Sequence, residues 1–134
     1  MKKVYQTKYG KNEGNCFQAC VASLFEMSLE EVPNFCWYEP IEKWYENFIL
    51  WLHKKGFSAI PLQETNINRP NYKNCFLIVS GKNQDGIMHS VIYKNGEPLF
   101  NPNKNCKGIN PEMVDIIFPL NPIWEIEMRE ENAG

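Results

Sequence analysis

The sequence predicts an α+β domain in which an N-terminal helix packs on an antiparallel β-sheet. Two segments before residue 56 place their apolar residues at helical spacing, and short apolar runs bounded by turn residues follow. Helices that precede strands in this way are typical of α+β folds with antiparallel sheets. A chain of 134 residues suffices for one hydrophobic core and is short for two domains, so we expect one domain over 1–134.

The first helix is predicted over residues 16–26, in the segment CFQACVASLFE. Four of its apolar residues share one face: Cys20, Val21, Leu24 and Phe25. Ser28 and Glu31 then stand at the spacing of a capping box, which predicts a second short helical turn ending at Pro33.

The segment PIEKWYENFILWLHKKGF gives the clearest helical pattern. Pro40 suits the first helical position, and Gly56 suits the position after the last turn. The stripe along this helix comprises Trp44, Phe48, Trp51, Leu52 and Lys55.

Strands are predicted after Gly56. The segments FSAIPL and CFLIVSG indicate two strands, the second apolar enough to lie at the centre of a sheet. MHSVIYKNGEPLFNP indicates a hairpin with arms at 88–93 and 98–101 around an Asn95-Gly96 turn. VDIIFPL and IWEIEM indicate further strands, and residues 130–134 a flexible tail.

Composition limits the class of protein. The net charge of −2 and the pI near 5.7 argue against binding of a nucleic-acid polymer, which requires a basic face. No apolar stretch is long enough to span a bilayer, and the basic opening lacks the apolar region of a secretory signal. We expect a cytoplasmic protein without a membrane partner.

The cysteines do not predict a metal site or a disulfide framework. The chain has five of them, Cys16, Cys20, Cys36, Cys75 and Cys106, and none of these pairs has C-x-x-C spacing. Only two histidines are present. We therefore expect no metal and no cofactor, and most cysteines should be small buried residues.

Cys16, His89 and Asn101 form the candidate catalytic group. Cys16 begins a helix, where backbone amides and the helix dipole lower the pKa of a thiol. His89 lies near the start of a strand, and the hairpin turn places it roughly opposite residue 102, close to Asn101. A nucleophile, a base and a residue that orients the base are what thiol-dependent acyl transfer requires.

Structural interpretations of the same residues remain open. Cys16 could be a core residue, His89 a strand histidine bonded to a carbonyl, and Asn101 a turn residue before Pro102. His53 is best explained as a cation near a helix C-terminus.

An acyl-transfer site also needs donors to the oxyanion. The backbone amide of Cys16 is one candidate, and we predict the side chain of Gln6 as the second, with Asn15 and Gln18 as alternatives.

These motifs resemble the papain-like cysteine peptidases. A glutamine (Gln6), the opening GNCFQACVASLF with Cys16, and the segment MHSVIYKNGEPLFNP with His89 and Asn101 are most similar to the C39-like and NlpC/P60-type branches. They are also similar to small bacterial and phage proteins that share a G-[DN]-C-x-x-A-C-x-A-S-L opening. The resemblance implies a papain-like fold and a Cys-His-Asn triad.

Two functions from different classes follow. The first is a thiol-dependent hydrolase or acyltransferase acting on an amide, peptide or thioester bond. Trp37 and Tyr38, in the loop before Pro40, are predicted to contact its substrate. The second is a catalytically silent papain-like module that sequesters a small anion or nucleotide, or blocks a protein partner. A third interpretation is an interaction domain with structural cysteines. The oligomeric state cannot be predicted from the sequence.

Overall fold

A five-stranded antiparallel sheet with strand order β1-β5-β2-β3-β4 forms the centre of the fold. The computed structural model describes residues 1–11, 13–37 and 41–120. The helices are α1 (Cys16–Phe25) and α2 (Ile41–Lys54). The strands are β1 (Phe57–Gln63), β2 (Phe76–Lys82), β3 (Met88–Lys94), β4 (Glu97–Phe100) and β5 (Asn110–Pro119). Three short 3₁₀ segments lie at Leu29–Glu31, Phe35–Trp37 and Pro70–Tyr72.

The predicted α+β class and antiparallel sheet are confirmed, and α1 packs against β3. Strand β5 begins at Asn110, four residues before the predicted VDIIFPL segment. The Ser28–Glu31 capping box is not formed, because Ser28 makes no side-chain cap bond and the Glu31 amide donates to the Ser28 carbonyl instead. The strand predicted for IWEIEM and the tail predicted at 130–134 lie outside the described residues.

Both helices bury their apolar faces on one face of the sheet. Phe48 of α2 is fully buried and packs edge-to-face on Phe17 of α1, with ring centroids 5.1 Å apart. From the sheet, Ile78 and Ile92 enter the same cluster. This packing fixes the first turn of α1 over β3.

The opposite face of the sheet carries a second apolar cluster. Leu77, Val79, Val91 and Val114 are buried there together with Tyr72 from a 3₁₀ segment. Because successive side chains of a strand alternate between faces, β2 and β3 are apolar on both sides, as the continuous run CFLIVSG predicts.

The β3–β4 hairpin positions the predicted base and its partner. Near the turn, Tyr93 pairs with Pro98, as the Asn95-Gly96 turn predicts. A register shift then places Phe100 opposite Ile92, so that Asn101 follows the last residue of β4. The site therefore sits at the end of the hairpin away from its turn.

Within the described ranges, no helix combines the length and apolar character needed to cross a membrane.

Candidate active site

Cys16 and His89 line the same cavity, which has a volume of about 230 Å³. Cys16 is the first residue of α1, and His89 is the second residue of β3. The other residues lining the cavity are Gly10, Lys11, Gly14, Phe17, Cys36, Trp44, Tyr45, Ser80, Met88, Ser90, Met113 and Asp115. Helix α1, helix α2 and three strands thus converge on this cavity.

His89 is held by Asn101. The Nε2 atom of His89 lies 2.7 Å from Oδ1 of Asn101, and His89 is 5% exposed. The Nδ2 atom of Asn101 donates to the Cys106 carbonyl at 3.3 Å, which fixes which end of the amide faces the ring. Since Oδ1 can only accept, Nε2 carries the proton of the neutral imidazole, and Nδ1 is left as an acceptor.

Asn15 ties the start of α1 to the N-terminal arm, the segment before α1 that includes Thr7 and Lys8. Its Oδ1 accepts hydrogen bonds from the backbone amides of Thr7 (3.0 Å) and Lys8 (2.9 Å), and its Nδ2 donates to Thr7 Oγ1 at 3.0 Å. Asn15 is buried and makes no side-chain cap bond to the helix. It therefore holds the arm against the helix start, and its amide protons point to the arm.

Gln6 is buried but is not among the described residues that line the cavity. Its Nε2 donates to the Lys8 carbonyl at 2.9 Å, while its Oε1 has no hydrogen-bond partner in the described part of the chain. Its backbone amide donates to the carbonyl of Pro102, next to Asn101. The structure thus brings Gln6 close to the hairpin end but directs its amide to the arm, and its oxyanion role stays a prediction.

Gln18 has a structural role. Its Nε2 donates to the carbonyls of Leu29 (2.9 Å) and Val32 (2.7 Å) and so ties α1 to the 3₁₀ segment that follows it.

Burial raises the pKa of the Cys16 thiol above its ordinary value. The backbone amide and hydroxyl of Ser90, and then the amides of Phe17 and Cys16, act in the opposite direction but do not cancel the effect of burial. The expectation of a lowered thiol pKa at the start of α1 is therefore wrong. Placing the sulfur between a helix and a sheet removes more solvation than the free amides of the first turn replace.

Burial also lowers the pKa of His89, and the hydrogen bond that its Nε2–H donates to Asn101 only partly offsets this. A thiol that holds its proton and an imidazole that gives up its proton favour a neutral pair at rest.

Ser90 is a neighbour of the thiol that the sequence did not single out. It follows His89 in β3, is buried, and its hydroxyl lies 2.8 Å from that of Ser80 in β2. Ser90 lies two residues before Ile92, which packs in the cluster beneath the helices, so the Ser90 side chain shares the face of the sheet that α1 covers. The sequence signal for this neighbour was the position of Ser90 as a polar residue in the otherwise apolar run after His89.

Asp115 and Tyr45 add a buried carboxyl to the cavity. Asp115 is 4% exposed, and the Tyr45 hydroxyl donates to its Oδ1 at 2.9 Å. Burial raises the pKa of Asp115 to about 6, and the Tyr45 hydrogen bond acts weakly in the opposite direction. The sequence signal for this buried carboxyl was an aspartate inside the otherwise apolar segment VDIIFPL. Interpreting the segment only as a strand overlooks that signal.

The aromatic residues at the cavity differ from those predicted. Trp44 and Tyr45 of α2 line it, together with Cys36. Trp37 is the last residue of a 3₁₀ segment, and its side chain, like the whole of Tyr38, lies outside the described residues. Their predicted contact with substrate stays a prediction.

A larger cavity of about 420 Å³ lies beside the arm. Its lining is mostly polar: Thr7, Lys8, Asn15, Gln18, Leu29, Glu30 and Asn34. It contains neither Cys16 nor His89, so we place the candidate site in the smaller cavity.

No cluster of three or more metal-ligating side chains occurs in ranges 1–11, 13–37 and 41–120. Comparison with profiles of known protein families finds no match, and comparison with curated proteins finds no significant relative.

Proposed function

We propose that the protein is a papain-like thiol-dependent hydrolase or acyltransferase that acts on an amide, peptide or thioester bond. The observation that carries this proposal is the 2.7 Å contact of His89 with Asn101, with His89 and the helix-borne Cys16 in one cavity. Asn101 fixes the imidazole so that Nδ1 is the free acceptor, which is the atom a general base requires.

The reaction begins from the neutral pair. As Sγ of Cys16 forms a bond to the substrate carbonyl carbon, its proton passes to Nδ1 of His89. The imidazolium keeps its Nε2–H bond to the Asn101 oxygen. His89 then returns the proton to the leaving group, and water or another acceptor cleaves the acyl–sulfur bond.

The developing oxyanion is stabilised by the first turn of α1. Cys16 is the first residue of this helix, so its backbone amide has no partner within the helix. An amide at a helix N-terminus donates well to an anion. Gln6 can act as the second donor once its amide leaves the Lys8 carbonyl.

We infer a peptide or small amide substrate and a cytoplasmic location. The cavity is smaller than the 300–1,000 Å³ typical of sites for drug-sized ligands, which suits a single side chain or a short extended segment. All five cysteines are free thiols, which suits a reducing compartment.

The test is the alkylation rate of each cysteine at pH 7, measured by mass spectrometry with iodoacetamide. Cys16 should react faster than Cys20, and His89→Ala should remove at least about tenfold of that rate. His53→Ala is the matched control, because His53 is exposed and bonds Ser58 away from the cavity. A Cys16 rate that is the same in all three proteins would contradict the proposal.

A silent binding module is the second candidate, and the raised pKa of Cys16 favours it because a protonated thiol is a poor nucleophile. The Cys16→Ala variant separates the two functions. Turnover of an amide or thioester must disappear in this variant, whereas binding of a small ligand in the cavity should survive.

A further inference from the structure

Asp115 is a buried carboxyl that the proposed reaction does not use. It lies in β5 and lines the cavity that contains Cys16. In the described part of the chain, the Tyr45 hydroxyl is its one hydrogen-bond donor, and it forms no ion pair. At neutral pH the carboxyl is largely ionised, since its pKa is about 6. A buried carboxylate with a single neutral partner is costly unless a cation joins it.

Among the described residues that line the cavity, none forms an ion pair with this carboxylate. The described lining residues include two basic side chains, Lys11 and His89. Lys11 is exposed, His89 bonds Asn101, and neither forms an ion pair with Asp115. The remaining lining near Asp115 is apolar or neutral, including Trp44 and Met113. Within residues 1–11, 13–37 and 41–120 no cation pairs with Asp115, so a cationic group of a substrate can pair with this carboxylate.

The register of the sheet gives the backbone spacing between Asp115 and Ser90, the strand residue that hydrogen-bonds the Cys16 thiol. Ser80 in β2 pairs with Ser90 in β3 and with Met113 in β5, so Ser90 and Met113 are two strand spacings apart, or about 10 Å. Asp115 lies two residues further along β5 on the same face. Its Cα is therefore about 12 Å from that of Ser90, which adjoins the Cys16 thiol.

A span of about 12 Å corresponds to three or four residues of extended peptide, or to one long side chain and one or two residues. A cavity of about 230 Å³ holds the second arrangement more readily than the first. Tyr45 bonds the carboxylate and Trp44 packs on Tyr45 with ring centroids 5.2 Å apart, so these two cavity-lining rings would cover the aliphatic part of a lysine or arginine side chain.

We propose that Asp115 is a specificity-determining residue that binds a cationic side chain of the substrate, carried one or two residues from the carbonyl that Cys16 attacks. This inference rests on the proposed function. The ligand that this site recognises is a cationic nitrogen that pairs with a buried carboxylate. The nitrogen can belong to a lysine or arginine side chain, as proposed, or to a free α-amine at the same distance.

The experiment compares three peptidyl chloromethyl ketones at pH 7.5, each of which alkylates a thiol with loss of chloride. Acetyl-lysyl-glycyl chloromethyl ketone carries a cationic side chain, acetyl-norleucyl-glycyl chloromethyl ketone carries no charge, and norleucyl-glycyl chloromethyl ketone carries only a free α-amine. Alkylation of Cys16 is followed by mass spectrometry, with Cys75 as the internal reference outside the cavity. The proteins are wild type, Asp115→Asn, Tyr45→Phe and His89→Ala.

The expected result is that the lysyl probe alkylates Cys16 about tenfold faster than the acetyl-norleucyl probe in wild type, a ratio that corresponds to one charge-assisted contact. Asp115→Asn should reduce this ratio to about one, and Tyr45→Phe should retain it because the carboxylate remains. An advantage of the free-amine probe that also depends on Asp115 would support cation binding with an α-amine as its source.

Equal rates for all three probes at Cys16, with the rates still dependent on His89, would overturn the inference and leave the proposed function standing. A Cys16 rate no higher than that of Cys75 with any probe would overturn both. If Asp115→Asn does not fold, the ratio in Asp115→Glu decides, since a retained carboxylate must retain the preference for the lysyl probe.

Discussion

The Nε2 atom of His89 lies 2.7 Å from Oδ1 of Asn101, across the open end of the β3–β4 hairpin. This contact orients a buried imidazole that lines the same cavity as Cys16. A histidine satisfied by a backbone carbonyl, the simplest structural alternative, would not require an amide side chain that is itself fixed by the Cys106 carbonyl.

Removing this amide should weaken the base. We expect Asn101→Ala to lower the His89-dependent alkylation of Cys16 by about tenfold or more, because the ring loses its orientation and its stabilised imidazolium. Asn101→Asp should keep most of the rate, since a carboxylate also accepts from Nε2. Asn103→Ala is the control, because the backbone amide through which Asn103 contacts Asn101 is retained. Equal losses in Asn101→Ala and Asn103→Ala would indicate a general effect on the loop.

The pH dependence of alkylation should have two phases. Because the pKa of His89 is lowered, general-base assistance should already be complete near pH 7. Because the pKa of Cys16 is raised, a second increase from direct thiolate formation should appear only above the range of an ordinary thiol. The first phase should vanish in His89→Ala while the second remains. A single increase at low pH that persists in His89→Ala would argue against a neutral resting pair.

The anchoring of the arm by Asn15 should be a major contribution to stability. Asn15→Ala removes three hydrogen bonds and leaves the Thr7 and Lys8 amides without this partner, so we expect a loss of about 2–4 kcal/mol in the free energy of unfolding. Asn66→Ala, which removes one exposed turn bond to the Asn68 amide, should cost well under 1 kcal/mol and serves as the control. Urea denaturation of both variants measures the difference. A small loss for Asn15→Ala would mean that the arm is not held by this side chain.

The sequence predicted those parts of the structure that depend on local patterns. The spacing of Phe48 and Leu52 predicted the buried face of α2, and the Asn95-Gly96 turn predicted a hairpin that brings His89 near Asn101. Each of these follows from residues close together in the chain, where helical periodicity and turn chemistry decide the geometry.

Features that depend on long-range packing could not be predicted in this way. Strand β5 inserts between β1 and β2, a pairing that no local signal specifies, and this insertion carries Asp115 into the cavity. The direction of the Cys16 pKa shift depends on how deeply α1 packs on β3. The orientation of the Gln6 amide depends on an arm that Asn15 holds in place.

Asp115 should make stability depend on pH in a definite direction. Its pKa rises from an ordinary 3.8 to about 6 in the folded protein, so the folded state binds this proton more tightly than the unfolded chain does. The resulting stabilisation is present below pH 3.8 and is lost as the pH rises through 6. This difference corresponds to about 3 kcal/mol at most.

Asp115→Asn isolates this effect, because an asparagine can still accept the Tyr45 hydrogen bond but does not titrate. The free energy of unfolding of the variant minus that of wild type should increase by about 2–3 kcal/mol between pH 4 and pH 7. Tyr45 and Cys36 face the carboxyl and have raised pKa values, so they stay neutral over this range, while His89 titrates in both proteins. A difference that is constant from pH 4 to pH 7 would show that the pKa of Asp115 is not raised by folding. It would then contradict the proposal that Asp115 is a desolvated carboxylate that prefers a cationic side chain.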